Sequence, residues 1–166
     1  IALATCLAED FLGRPLDTEK AFFSTTRCPT PGRFQLLQPK PLVLIDAAHN
    51  PQSIETFLTA IRSIAPEVAN RPMLLTAVFA DKDVKGIAEL LAKEFPEVAV
   101  NHRDNARAKD ADELAELYKA YGSNVVAGYK SVPEAVDALR EKGFVACGTI
   151  SLAGEVAAQF SDALVK

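Results

Sequence analysis

Leu42-Val43-Leu44-Ile45-Asp46-Ala47-Ala48-His49-Asn50-Pro51 is the stretch whose reading decides the fold. Leu42 to Ile45 is an unbroken apolar run of the kind carried by strands that are covered on both faces, as parallel strands are. Asp46 ends the run, and Asn50 and Pro51 supply the cap and first residue of a helix. Such a strand-to-helix junction sets polar groups at the carboxyl end of a buried strand, where open α/β sheets bind ligands. Just upstream, Pro31-Gly32-Arg33-Phe34 is a turn sequence carrying one guanidinium. Together these two stretches hold most of the candidates for chemistry.

Downstream of Pro51 the same alternation continues. Ile54, Phe57, Leu58, Ile61 and Ile64 share one helical face over 51–64. Strands are predicted at Met73 to Phe79, near Val98 to Asn101, at Val125 to Gly128 and at Phe144 to Cys147. Helices are predicted from Val84 to Phe95, around Leu114, Leu117, Tyr118 and Tyr121, and from Ser131, whose spacing to Glu134 reads as a capping box, through Leu139. A last helix from about Ser151 carries Leu152, Val156, Phe160 and Leu164. Repeated β-α units imply an α/β fold with a mainly parallel sheet and helices on both faces. Upstream of the turn, Leu3, Leu7 and Phe11, then Ala21, Phe22 and Phe23 behind a capping Asp17, read as a helical lead-in. Residues 25–33 read as a linker, Phe34 to Leu37 as a short strand, and the polar segment Asn101 to Asp112 as solvated surface.

At 166 residues, 49% hydrophobic and 24% charged, the chain has enough apolar surface for a sizeable core. Its net charge of -4 and scattered 18 basic residues argue against nucleic acid or an anionic membrane as partner. Cys6, Cys28 and Cys147 have neither the number nor the spacing of a disulfide framework or zinc site, which fits a reducing cytoplasm. No apolar run approaches the roughly 20 residues that span a bilayer. The chain begins at Ile1 inside a helix-like pattern, so it is expected to belong to a longer polypeptide.

Asp46 either braces the following turn or meets a ligand, and its position alone leaves both open. His49 stands before a helix amino terminus, whose amides suit an anion; with His102 the only other histidine, a metal site is not indicated. Arg33 presents the planar donor fork that suits phosphate. In Asp81-Lys82-Asp83, Asp83 reads as a helix cap and Lys82 stays open. Thr149 and Ser151 read equally as caps. The chain lacks the Gly-x-x-x-x-Gly-Lys loop that cradles ATP phosphates, and no Gly-x-Gly-x-x-Gly follows a predicted strand.

Asp46, Ala48, His49, Asn50 and Pro51 match an Asp-Gly-Ala-His-Asn-Pro motif in which Ala47 replaces Gly. With Pro31-Gly32-Arg33, Asp81-Lys82-Asp83 and the partial match of 147–156, the chain resembles the carboxy-terminal domain of ATP-dependent ligases of the Mur type. Within them it is most similar to the folylpolyglutamate synthase and dihydrofolate synthase branch, because cell-wall Mur ligases usually carry an aromatic where Ala47 stands. The resemblance implies a three-layer Rossmann-like domain over 34–166, preceded by a lead-in and hinge over 1–33. It also implies ATP and Mg²⁺ as cofactors, with the phosphate loop and Mg²⁺ ligands on an upstream domain of the same polypeptide.

By the same resemblance, Arg33 and Asp46 contact the nucleotide, His49 binds the incoming amino acid and steers its amine, and Thr149 stands where the family's Ser contacts that amino acid. The implied reaction adds L-glutamate to a folate or dihydropteroate carboxylate through an acyl phosphate, in the cytoplasm. Two other readings remain open: the carboxy-terminal domain of a peptidoglycan Mur ligase, and a free-standing nucleotide-binding module without catalysis. The purified 166-residue chain is expected to fold yet show no ligase activity, because it has no phosphate-cradling loop; ATP-dependent glutamate addition by this chain alone overturns that expectation.

Overall fold

The structure, a computed structural model, describes residues 2–26 and 30–160; Cys28, Leu164 and the middle of the 25–33 linker lie outside them. The chain divides into two compact units, Ile1–Pro31 and Gly32–Lys166. In the first, helices α1 (Ala2–Leu12) and α2 (Thr18–Thr26) occupy the stretches whose spacing reads as helical. The Asp17 carboxylate accepts the Lys20 N–H at 3.1 Å, the cap its position suggests. None of α1 is buried, and Phe11 is 90% exposed.

The second unit is a six-stranded sheet in the order β1-β2-β6-β3-β4-β5, with β1 Gln35–Gln38, β2 Val43–Ile45, β3 Met73–Thr76, β4 Glu97–Asn101, β5 Asn124–Tyr129 and β6 Phe144–Cys147. All neighbours pair in parallel except β1, which runs antiparallel to β2. Helices α3 (Pro51–Ile64), α4 (Val84–Ala92), α5 (Ala111–Ala120), α6 (Val132–Leu139) and α7 (Ile150–Ala158) complete the α/β fold. Both edge strands carry a register irregularity, in β1 between Leu36 and Gln38 and in β5 opposite Val98 and Ala99. Such bulges blunt an open edge against further pairing.

Strand alternation splits the core into two layers. Leu44, Leu74, Val98, Val100, Val145 and Cys147 face α3, α4 and α5. Val43, Ile45, Leu75, Ala99, Phe144 and Ala146 face α6 and α7. Buried β2 and β6 are therefore apolar at every position, which is why their sequence shows runs rather than alternation. On α3, Ile54, Phe57, Leu58 and Ile61 are buried as the spacing predicts, while the terminal Ile64 is half exposed.

Two local expectations are corrected. β3 stops at Thr76 rather than Phe79, because the chain beyond it pairs with the loop before α5: Phe79 and Ala108 form an antiparallel bridge, Lys109 N–H donates to Val78 O at 2.8 Å and Ala80 N–H to Arg107 O at 2.7 Å. The segment after Asn101 is thus largely exposed but pinned by the backbone groups that the ending strand leaves unpaired. At α6, Ser131 accepts the Glu134 N–H, but the Glu134 carboxylate takes the N–H of Lys130 instead of Ser131. The complete capping box is at α3, between Asn50 and Ser53.

This topology positions the candidate residues at one edge of the sheet. The helices leaving adjacent strands β2 and β6 go to opposite faces, α3 to one and α7 to the other. Adjacent strands whose helices leave to opposite faces form the switch-point arrangement beside which open α/β sheets bind ligands. Gly148 makes the turn out of β6 possible: its φ is 113°, and a Cβ there would sit 2.4 Å from Ala77 O and 2.7 Å from Thr76 Oγ1. Gly148→Ala combines a conformation closed to L side chains with a backbone clash, and is expected to destabilise the chain by roughly 3 kcal/mol. A lowered urea midpoint at unchanged m-value checks this; a loss under about 0.5 kcal/mol would show that the turn relaxes freely.

Candidate functional site

Asp46 is buried at the end of β2, and both carboxylate oxygens are engaged. Oδ1 accepts the Ala48 N–H at 2.7 Å, which turns the chain toward α3. Oδ2 accepts the Phe34 N–H at 2.8 Å, which fastens the turn before β1. That turn is held a second time by Ala47 N–H donating to Gly32 O at 2.7 Å, and Gly32 N–H donates to Gln35 Oε1 at 2.8 Å. The bracing reading of Asp46 therefore describes its contacts, and each oxygen keeps a further lone pair for a donor from the cleft.

The turn is strained at one position. Gly32 has φ 74°, without cost for glycine, but Phe34 has φ 42°. A left-handed backbone at a residue with a side chain costs about 1–2 kcal/mol. The charge-assisted bond to Asp46 and the packing of the Phe34 ring edge-on against Phe57, with centroids 6.3 Å apart, offset it.

At the entry to α3, Asn50 Oδ1 accepts the Ser53 N–H at 2.9 Å, while Ser53 Oγ receives the N–H groups of His49 at 3.1 Å and Asn50 at 3.2 Å. These bonds explain Asn50 and Ser53 structurally. His49 is half-buried beside them, its Nδ1 2.8 Å from Ala47 O. A carbonyl oxygen only accepts, so Nδ1 carries the proton, and in the neutral ring Nε2 keeps the lone pair.

Thr149 lies at the end of β6, one strand over, and is buried. Its Oγ1 accepts the Leu152 N–H at 2.9 Å as the cap of α7 and lies 3.1 Å from Ser151 Oγ. The preceding Gly148 N–H donates to Ala48 O at 2.9 Å, so the loops of His49 and Thr149 are joined directly. Arg33 is exposed and lines, with Phe34, Asp46, Ser53, Thr56 and Phe57, a cleft of about 310 Å³. The fold thus gathers the four candidates into two pairs, Arg33 with Asp46 in one cleft and His49 with Thr149 on adjoining loops.

Lys82 and Asp83 have local partners. Asp83 Oδ1 caps α4 through the Gly86 N–H at 2.9 Å. Lys82 pairs with Asp81 at 3.1 Å, and Arg107 bonds both oxygens of the same carboxylate at 3.1 Å. The Lys82 hydrogen bond, with Arg107 adding to it, holds the Asp81 carboxyl below its ordinary range. Cys147 is fully buried, and its thiol is pushed up first by that burial and then by the charge of Asp46, so it is no thiolate nucleophile. Among the described residues no three His, Cys, Asp or Glu side chains gather as a metal-binding group.

Phe34, Ser53 and Gly148 shape the site and escape sequence reasoning to different degrees. Ser53, three residues after a capping Asn50, is a legible box partner. Gly148 after a buried strand is a signal of a tight turn. Nothing in the sequence marks Phe34 as left-handed. The ion pair of Arg103, from the segment read as solvated, with Glu155 on α7 is also a purely tertiary feature.

The sequence profile of the family described as "Mur ligase, glutamate ligase domain" matches residues 32–160. A dihydrofolate synthase/folylpolyglutamate synthase of Mycobacterium tuberculosis is 31% identical over 81% of this chain and 28% of its own length. A UDP-N-acetylmuramoyl-L-alanyl-D-glutamate–2,6-diaminopimelate ligase of Geobacillus kaustophilus is 26% identical over 84% of this chain and 28% of its own length. The chain therefore spans little more than a quarter of these relatives. The solved structure of Mycobacterium tuberculosis folylpolyglutamate synthase complexed with ADP and AMPPCP superimposes with a TM-score of 0.79 at 27% identity, covering 92% of this chain and 37% of that one.

Replacing Asp46 with Asn turns one of its two amide acceptors into a donor facing a backbone N–H. Asp46→Asn is expected to lower stability by about 2 kcal/mol, read as a shifted urea midpoint; a change within about 0.5 kcal/mol would remove the brace from the structure's essential contacts.

Proposed function

This chain belongs to the Mur ligase family as a glutamate ligase domain, and from that premise we propose that it serves as the carboxy-terminal part of an ATP-dependent folate ligase. In this reading the complete enzyme adds L-glutamate to a folate or dihydropteroate carboxylate. The observation that carries it is the meeting of Arg33 and Asp46, from two separate motifs, in one cleft beside the switch point of the sheet. Their chemistry suits a nucleotide: a carboxylate lone pair accepts a ribose hydroxyl, and an exposed guanidinium pairs with phosphate oxygens. ATP supplies the phosphoryl group that activates the substrate carboxylate. We assign the Mg²⁺ ligands, with the phosphate loop, to an upstream domain of the same polypeptide.

His49 and Thr149 take the amino-acid side of the proposal. Formation of the acyl phosphate releases ADP, and the glutamate amine then attacks the acyl carbon as phosphate leaves. His49 Nε2, with Nδ1 fixed on Ala47 O, is oriented to hydrogen-bond that amine and to take its proton. Thr149 keeps its cap bond to Leu152 and offers the hydroxyl's remaining capacity to the amino acid. Closure of this domain over the site excludes water, which protects an acyl phosphate from hydrolysis. No helix among the described residues is long and apolar enough to cross a membrane; the setting that we propose for the reaction is the cytoplasm.

A second reading, the same domain in a peptidoglycan ligase, is favoured by the likeness to the diaminopimelate ligase. The folate reading has the higher identity and Ala47 in place of an aromatic. In the complete polypeptide as its gene encodes it, Arg33→Ala is expected to raise the KM for ATP roughly tenfold to a hundredfold, the worth of one charge-assisted phosphate contact. Because Arg33 is exposed, the thermal midpoint should stay where it is. An unchanged KM for ATP removes Arg33 from the nucleotide site and with it the principal support for the ligase reading.

A further inference from the structure

Phe34 stands between the two nucleotide candidates in a conformation that its side chain disfavours. Its φ of 42° is left-handed, a region that belongs mainly to glycine and, less often, to asparagine or aspartate. Three contacts over-determine it: its N–H on Asp46 Oδ2 at 2.8 Å, its ring against Phe57 at 6.3 Å, and the neighbouring clamp from Ala47 N–H to Gly32 O at 2.7 Å. Phe57 is itself stacked on Phe95 deep in the core, with ring centroids 6.4 Å apart. The ring of Phe34 is thereby anchored to a rigid layer, while the residue before it, Arg33, is exposed along the same cleft. Strain that persists under such support is a mark of pre-organisation.

We infer that Phe34 is a positioning residue, whose left-handed backbone, held by Asp46 and Phe57, aims Arg33 across the cleft before any nucleotide arrives. The inference rests on the reading of Arg33 and Asp46 as nucleotide contacts, and adds the residue that fixes their relative placement. It also gives the Asp46 carboxylate two roles, since the oxygen that ties down Phe34 belongs to the same group that faces the ligand. A ligand donor reaching Asp46 meets an arginine already oriented, so less conformational freedom is lost on binding.

The test separates aim from fold. Phe34→Gly relieves the backbone strain but frees the turn, and Phe34→Asn tolerates the left-handed region without the aromatic anchor. In the complete polypeptide, both variants are expected to weaken the ADP dissociation constant, measured by calorimetry, on the order of tenfold while remaining folded. A role in packing alone would lower the thermal midpoint and leave the affinity of the folded fraction as it was. An ADP dissociation constant that matches the parent in both variants overturns the inference, as does loss of fold in both, which makes Phe34 a core residue only. Arg33→Ala, measured alongside, tells the two failures apart. If it weakens ADP binding while the Phe34 variants do not, the positioning role alone falls; if it has no effect, the nucleotide reading falls and the positioning role with it.

Discussion

One buried carboxylate ties together the two stretches that hold most of the candidate site. Asp46 accepts the N–H of Ala48 with one oxygen and that of Phe34 with the other, so the exit from β2 and the turn before β1 share a single anchor. A charged acceptor on two backbone donors is stronger than a neutral one, and it satisfies amides that the chain's sharp change of direction would otherwise leave unpaired. The exit of the chain toward α3 and the left-handed backbone of Phe34 both rest on that constraint. Asp46 is thus a structural brace by its contacts, and under the proposed function the same carboxylate also faces the nucleotide.

The second constraint is topological. Because β6 inserts between β2 and β3, neighbouring strands send their helices to opposite faces. The junction of β2 and β6 is therefore the switch point of the sheet. There the Gly148 N–H on Ala48 O joins the His49 loop to the Thr149 loop. Gly148 accomplishes this through a backbone conformation and a closeness to Ala77 that a side chain would prevent.

The opposite end of the sheet is built for holding. Arg71, buried before β3, bonds Ala65 O at 2.9 Å and the Glu94 carboxylate, which Arg62 also engages at 2.6 Å. The hydrogen bond from Arg62, with Arg71 adding to it, keeps the Glu94 carboxyl below its ordinary range. This network contributes stability above the ordinary carboxylate pKa and loses it as acid protonates Glu94. It ties the end of α3 to the end of α4, far from the loops that carry Asp46 and Thr149.

The alternation of runs and faces determined the architecture on its own. Leu42 to Ile45 and Phe144 to Cys147 are apolar at every position because both sheet faces are covered, and the 51–64 spacing follows from a helix with one face buried. These are local periodicities, readable without knowing what the chain touches. The motif residues Arg33, Asp46, His49 and Thr149 were also legible, as identities. What tertiary structure alone decided was their pairing: Arg33 with Asp46 in one cleft, His49 with Thr149 across the Gly148 to Ala48 bond. It also decided the antiparallel edge strand, the pinning of the loop before α5 by Val78 and Ala80, and the left-handed Phe34. Each of these rests on a hydrogen bond or contact between residues distant in the chain. Their strength depends on geometry that only the assembled sheet supplies, and no pattern of neighbours along the sequence encodes it.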